Sequence, residues 1–207
     1  MADERPPRFS MIRSFALADI VTLGNASAGT AAIFGCLAYL DGHDRRFLWM
    51  ALGLLPIALV CDVLDGSIAR WRHKHSSLGA DLDSLADVVS FGVAPAVLGF
   101  TLGLRGGWDA VMLLYFVGCG ISRLARYNAT VADLADETGK VKYYEGTPIP
   151  TSLAIVVMFA VAFARDRVGD SLWFGRLSLG PWILHPLSIV YAISGSFMIS
   201  TIRIPKP

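Results

Sequence analysis

The chain consists mainly of long apolar stretches separated by short polar or Gly/Pro-containing breaks. About 20 helical residues are needed to cross a hydrocarbon core of about 30 Å, and most of these stretches approach or reach that length. A mean hydropathy of +0.54, with 54% hydrophobic residues, is too apolar for a soluble domain of 207 residues. We therefore expect one all-α integral membrane domain, residues 1–207, folded as a six-transmembrane-helix bundle. The predicted spans are approximately residues 15–40, 47–66, 80–104, 108–127, 149–164 and 181–202, after a cytoplasmic segment at 1–14.

The distribution of charge excludes one class of partner and orients the bundle. The formal net charge is +1, from 18 Lys and Arg residues against 17 Asp and Glu residues. A nucleic-acid-binding protein needs a basic excess to neutralise phosphates, so we expect no nucleic-acid partner. Lys and Arg in short loops are retained in the cytoplasm. Six spans put both termini on one side, which holds twelve of the 18 basic residues, and we predict that this side is cytoplasmic.

Four aspartates lie at a depth where a membrane does not readily tolerate charge. The apolar stretch 47–61, which precedes Asp62, measures only about 22 Å as a helix, so Asp62 and Asp65 lie within or at the edge of the membrane. The stretch 88–104 measures about 25 Å as a helix, so Asp83 and Asp87, which precede it, lie at a similar depth. Ionisable side chains in such positions are costly and usually functional.

The spacing of these aspartates predicts that their carboxylates converge. Asp62 and Asp65 are three residues apart, Asp83 and Asp87 are four apart, and the short loop 71–78 makes their helices antiparallel neighbours. An all-oxygen cluster suits Mg²⁺ or Mn²⁺, which usually also coordinate substrate phosphates. The alternative is a set of helix-cap and loop acids solvated at the membrane surface. This alternative explains a single acid better than it explains all four.

The residues between the two pairs point to a diphosphate ligand. Gly66 lets a ligand approach the helix backbone closely, and Arg70 can pair with a phosphate. The whole pattern reads D-x2-D-G-x2-A-R-x8-G-x3-D-x3-D and resembles, at every fixed position, the signature of the CDP-alcohol phosphotransferase family. Its fixed positions are Asp62, Asp65, Gly66, Ala69, Arg70, Gly79, Asp83 and Asp87.

The resemblance implies a six-helix membrane enzyme that binds two divalent cations, Mg²⁺ or Mn²⁺, and works as a homodimer. A hydroxyl nucleophile would displace CMP from a CDP-activated lipid or a CDP-alcohol. The family's metal ligands correspond to the four aspartates, and Asp87 would also be the general base. The residues implied near the CDP-lipid are Gly66, Ala69, Arg70 and Gly79, with Ser76 and Thr22 as weaker candidates. Ala18 and Asp19 depart from the Pro-Asn that such enzymes commonly carry there.

Three further segments resemble bacterial members of the family that use L-serine as the acceptor alcohol. They are SLADVVSFGVAPA at 84–96, RLARYN at 123–128 and YEGTPIP at 144–150. The implied reaction transfers the phosphatidyl group of CDP-diacylglycerol to L-serine, in phospholipid biosynthesis, on the cytoplasmic side of a bacterial-type inner membrane. Arg123 and Arg126 share one helix face, where they can clamp the carboxylate of serine, and Asn128 follows them. Alternatively, these arginines extend to lipid phosphates.

Other functions remain open from the sequence. Within the family the acceptor could instead be glycerol 3-phosphate or an inositol phosphate, because either would use the same arginines for its phosphate. A membrane prenyltransferase also uses Asp-rich helices on a diphosphate, but it has no reason to carry D-G-x2-A-R. An ion transporter would explain carboxylates in the membrane, but not the Gly, Ala and Arg fixed between them.

Overall fold

The computed structural model describes residues 17–72, 77–134, 143–200 and 203–205. Within these residues, four helical segments are long and apolar enough to cross a membrane, and they correspond to the first four predicted spans. The segments are Ala18–Gly42, Arg45–Ile68, Leu78–Leu102 and Gly107–Ala129. They belong to helices α1 (Leu17–Gly42), α2 (Arg45–Arg72), α3 (Ser77–Asp87) with α4 (Ala94–Leu102), and α5 (Gly107–Leu134).

A π-helix, Val88–Val93, joins α3 to α4 in the third membrane segment. Pro95 lies in the first turn of α4 and has no N–H. In a regular α-helix its ring would clash with the carbonyl group of Phe91, and the wider turn avoids that contact. The widened turn packs closely on α1, because a Cβ atom added at Gly29 would lie 2.3 Å from Oγ of Ser90.

The last third of the chain departs from the predicted pattern of two further spans. The 3₁₀ turn Ile149–Ser152 leads into α6 (Leu153–Ala164), and α7 (Ile189–Met198) follows a 3₁₀ turn at Pro186–Ser188. At 1.5 Å per residue, α6 and α7 measure about 18 and 15 Å, short of a crossing. The described residues therefore contain four candidate membrane-spanning helices, and the predicted six spans are not confirmed.

The predicted sixth span, residues 181–202, is wrong in its first part. Strand β2 (Leu177–Leu179) pairs antiparallel with β3 (Trp182–Leu184), so a hairpin occupies the start of that stretch. Gly180 has a φ of +64°, which suits a glycine in a tight turn, and the helix begins only after Pro186. Two further short strands, β1 (Tyr143–Glu145) and β4 (Arg203–Pro205), also pair antiparallel.

The core of the bundle lies where α4, α5, α6 and α7 meet. Phe116, Phe159 and Tyr191 are fully buried, and the ring of Tyr191 lies 5.2 Å from that of Phe116 and 6.0 Å from that of Phe159. The Tyr191 hydroxyl group donates a 2.7 Å hydrogen bond to the carbonyl group of Pro95. This bond gives the buried phenol a partner and fixes α7 against the start of α4, behind the helix that carries Asp83 and Asp87.

Candidate active site

Three of the four predicted aspartates come together between α2 and α3. One carboxylate oxygen from each of Asp62, Asp83 and Asp87 can be chosen so that all three lie within 4.8 Å of one another. Asp62 comes from the second half of α2, and Asp83 and Asp87 lie one turn apart on α3. The structure therefore has the convergence that the sequence spacing predicts, with two antiparallel helices each contributing one face.

Asp65 completes the acidic group and is held from α1. Its side chain is buried, and Oγ1 of Thr22 donates a 2.7 Å hydrogen bond to Asp65 Oδ2. Asp65 lies close enough to Asp62 and Asp83 to interact with both electrostatically. Thr22, predicted from the resemblance as a weaker CDP-lipid contact, thus orients a carboxylate in the described structure.

Asp87 is also held from α1, by a residue to which the sequence assigned no role. The fully buried Asn25 donates a hydrogen bond from Nδ2 to Asp87 Oδ1, at 3.2 Å. Thr22 and Asn25 are three residues apart and therefore share a helix face. The polar residues Thr22 and Asn25, three positions apart in a predicted membrane span, are the signal by which the sequence could have revealed this contribution of α1.

The carboxylate cluster has the chemistry of a site for a hard divalent cation. Oδ1 of Asp83 is buried and has no hydrogen-bond partner among the described residues, although buried polar atoms are normally paired. Asp62 and Asp87 lie within hydrogen-bonding reach of each other. Opposite oxygen ligands of Mg²⁺ lie about 4.2 Å apart, so a cluster within 4.8 Å fits such an ion with little adjustment.

The backbone next to the acids is open on one side. A Cβ atom added at Gly66 would have no heavy atom within 4 Å, so packing does not require glycine there. The open space beside Asp65 is instead available to a ligand that approaches the backbone. Gly79 is half-buried on α3, Ala69 and Arg70 lie in the last part of α2, and Ser76 lies outside the described residues.

The predicted serine-binding residues lie on α5, beside the acidic helix α3. Nδ2 of Asn128 donates a 3.0 Å hydrogen bond to Oγ of Ser84, the residue that follows Asp83. Arg123 is half-buried and Arg126 is exposed. The Ser84–Asn128 pair, which the sequence did not predict, therefore places this part of α5 next to the carboxylate cluster.

This arrangement defines a helical membrane protein with a buried, cation-competent carboxylate cluster between two neighbouring spans. The chain belongs to the CDP-alcohol phosphatidyltransferase family, whose profile matches residues 15–194. It is 40% identical over 203 residues to the CDP-diacylglycerol–serine O-phosphatidyltransferase of Saccharomyces cerevisiae, covering 96% of this chain and 74% of the relative.

Two other relatives come from different domains of life. The protein of the same name from Mycobacterium tuberculosis is 36% identical over 136 residues, covering 64% of this chain and 46% of the relative. The archaetidylserine synthase of Methanothermobacter thermautotrophicus is 36% identical over 152 residues, covering 72% of this chain and 59% of the relative. The chain thus spans only about half of the length of these two relatives.

Proposed function

We propose that this protein transfers the phosphatidyl group of CDP-diacylglycerol to L-serine, forming phosphatidylserine and CMP. The observation that carries the proposal is the convergence of Asp62, Asp83 and Asp87, at the positions of the family's signature. The names of the relatives support serine as the acceptor. They agree on serine from yeast to archaea, whereas the lipid that they name differs.

We assign the acid–base step to Asp87. As the serine hydroxyl oxygen forms its bond to the lipid-proximal phosphorus, the bond from phosphorus to the CMP oxygen breaks and Asp87 accepts the hydroxyl proton. The carboxylate of Asp87 is buried and oriented by Asn25, so its position is fixed before the substrates arrive. Attack by serine directly on phosphorus is the simplest route, because no fixed position of the signature is Ser or His.

We propose that Asp62, Asp65, Asp83 and Asp87 hold two divalent cations, Mg²⁺ or Mn²⁺. When bound, these ions polarise the phosphoryl oxygens and stabilise the charge that develops on CMP. The unpaired Oδ1 atom of Asp83 and the compact cluster support this assignment. The hydrogen bond from Thr22 holds the carboxylate of Asp65 in place.

The diphosphate would lie along the end of α2. The open backbone at Gly66 supports a close approach there, beside the carboxylates. The residues Ala69, Arg70 and Gly79 are proposed as CDP-lipid contacts from the family's signature. Ser76 is a weaker candidate from the resemblance.

For the acceptor, we propose that Arg123 and Arg126 bind the carboxylate of serine and that Asn128 helps to position it. The Ser84–Asn128 hydrogen bonds support this proposal because they bring the end of α5 next to Asp83. An acceptor phosphate would suit the same two arginines, so glycerol 3-phosphate and inositol phosphate are the acceptors to compare directly.

We propose that the active site lies on the cytoplasmic side, where most of the Lys and Arg residues were placed. A six-span topology, a homodimer and a bacterial-type inner membrane stay predictions from the resemblance. The relatives come from yeast, bacteria and archaea and therefore do not select one membrane.

Release of CMP by the purified protein tests the proposal. The protein is incubated with CDP-diacylglycerol and Mn²⁺, and then with L-serine, glycerol 3-phosphate or inositol phosphate in separate reactions. L-alanine, which lacks the hydroxyl nucleophile, is the matched control. We expect CMP release only with L-serine; release with another acceptor alone would reassign the substrate, and no release with any acceptor would contradict the proposal.

A further inference from the structure

A second candidate site lies at the end of the bundle opposite to the aspartates. It is a cavity of about 460 Å³, whose walls include Tyr39 and His43 from the end of α1 and Thr101 from the end of α4. Roughly 26 Å of helix separates Thr22 from Tyr39 at 1.5 Å per residue. The cavity is therefore separate from the carboxylate cluster, and the proposed reaction does not use it.

The charged residues that line this cavity leave one positive charge in excess. Nη1 of Arg176 lies 2.9 Å from Oδ1 of Asp170, so these two charges offset each other. Arg105 donates hydrogen bonds only to main-chain carbonyl groups, those of Phe100 at 3.2 Å and Thr101 at 3.3 Å. No carboxylate in the described part of the chain pairs with Arg105. A ligand with a single negative charge would complement this lining.

His185 lies in the same cavity wall and is held there by Asp109. Its side chain is only 7% exposed, and its Nδ1 atom lies 2.6 Å from Oδ2 of the fully buried Asp109. Asp109 also accepts hydrogen bonds from the backbone N–H groups of His185, at 2.7 Å, and Gly106, at 2.9 Å. The ring is thus fixed in one orientation, while its Nε2 atom is buried with no partner among the described residues.

We propose that this cavity binds a phosphate-bearing anion, with Arg105 as the pairing cation. A phosphodiester carries the single negative charge that the lining would complement. Leu40, Leu102 and Ile183 provide apolar walls beside the charged groups, which suits the headgroup region of a phospholipid. Free phosphate presents the same chemical group, and the two sources are distinguished experimentally.

Thermal unfolding of the purified full-length protein tests this site. The protein is kept in phosphate-free buffer with a neutral detergent, and either inorganic phosphate or dioleoyl phosphatidylglycerol is added in increasing amounts. A ligand that binds only the folded state raises Tm in a saturable manner. We expect such a rise, and we expect Arg105→Gln to weaken the apparent affinity by about tenfold or more. Dioleoylglycerol, which lacks the phosphate, should have no effect.

The matched control is Arg46→Gln, which removes an exposed arginine at the same end of the bundle but outside the cavity. It should keep the wild-type response, and Arg105→Gln should keep serine-dependent CMP release. If Arg105→Gln does not fold, Arg176→Gln carries the same expectation. A rise with phosphate identifies a free-phosphate site, and a rise with the phospholipid alone identifies a headgroup site. No rise with either, or an unchanged response in the cavity variants, overturns the proposal.

Discussion

Asn25 and Asp87 are joined by a hydrogen bond of 3.2 Å between two buried side chains, one on α1 and one at the end of α3. A second bond ties the same segments together, because Oγ of Ser90 donates to the carbonyl group of Asn25 at 2.9 Å. Ser90 lies in the π-helix that begins directly after Asp87. The orientation of the proposed base therefore depends on α1 through both a side chain and the backbone.

Replacement of Asn25 by Ala should lower kcat by roughly tenfold to a hundredfold, the range typical of residues that orient functional carboxylates. The loss should fall mainly on kcat, because the substrates do not require Asn25 for binding. Steady-state CMP release at varied serine and CDP-diacylglycerol measures the two parameters. Ser27→Ala is the control, since that exposed hydroxyl donates only to the carbonyl group of Leu23 on the same helix. Equal losses in both variants would contradict the orienting role.

Asp87→Asn should abolish turnover while the protein still binds CDP-diacylglycerol. The amide keeps the shape of the side chain but cannot accept the serine proton, and general-base catalysis contributes about 10²–10⁴-fold. Binding is measured with labelled CDP-lipid, and turnover as CMP release. Asp81→Asn, the same change at an exposed residue of α3, should leave both unchanged. Near-normal serine incorporation by Asp87→Asn would contradict the assignment of Asp87 as the general base.

The first four spans and the acidic cluster could be predicted because each depends on local periodicity. Hydropathy alone finds the long helices, and the three- and four-residue spacings place each aspartate pair on one helical face. The short connection between α2 and α3 then brings Asp62 close to Asp83 and Asp87. Two neighbouring antiparallel helices with these spacings bring the three carboxylates together, so the cluster could be predicted without knowing the rest of the fold.

The β2–β3 hairpin, the π-helix and the Asn25–Asp87 hydrogen bond could not be predicted, because they depend on backbone conformation or on contacts between residues distant in sequence. The β2–β3 hairpin, at residues 177–184, is apolar enough to read as part of a span, because hydropathy measures composition and not backbone conformation. The π-helix relieves a clash of Pro95 with the carbonyl group of Phe91 and places Ser90 against Gly29 of α1. The partnership of Asn25 with Asp87 crosses 62 positions in sequence and requires the helix packing to be known.

Thr22→Val should raise the Mg²⁺ or Mn²⁺ concentration needed for half-maximal activity by about tenfold to a hundredfold. Valine has nearly the shape of threonine but cannot donate the hydrogen bond that holds Asp65. CMP release is measured over a titration of each cation after treatment with EDTA, which should abolish activity reversibly. Thr30→Val, a matched change on the same helix, removes only a bond to the carbonyl group of Ala26 and should keep the wild-type requirement.

Arg126→Ala should raise the KM for L-serine by about tenfold or more and leave the KM for CDP-diacylglycerol unchanged, because a charge-assisted contact to the serine carboxylate is lost. The side chain of Arg126 is exposed, so the substitution should not disturb folding. Arg165→Ala, at an exposed arginine after α6, is the control. A change in the KM for CDP-diacylglycerol alone would instead place Arg126 at the lipid substrate.

Gly29→Ala should destabilise the protein and lower its activity together. The new Cβ atom would lie 2.7 Å from Cα and 2.3 Å from Oγ of Ser90, so α1 and the π-helix must move apart. Overpacking of this kind costs about 1–3 kcal/mol, and the displacement would also lengthen the hydrogen bond from Asn25 to Asp87. Gly118→Ala is the matched helical control, because its Cβ atom meets nothing within 4 Å. Thermal unfolding should show a lower Tm only for Gly29→Ala, and CMP release should fall in the same variant. An unchanged kcat at a lower Tm would show that the packing of α1 on the π-helix does not control the orientation of Asp87.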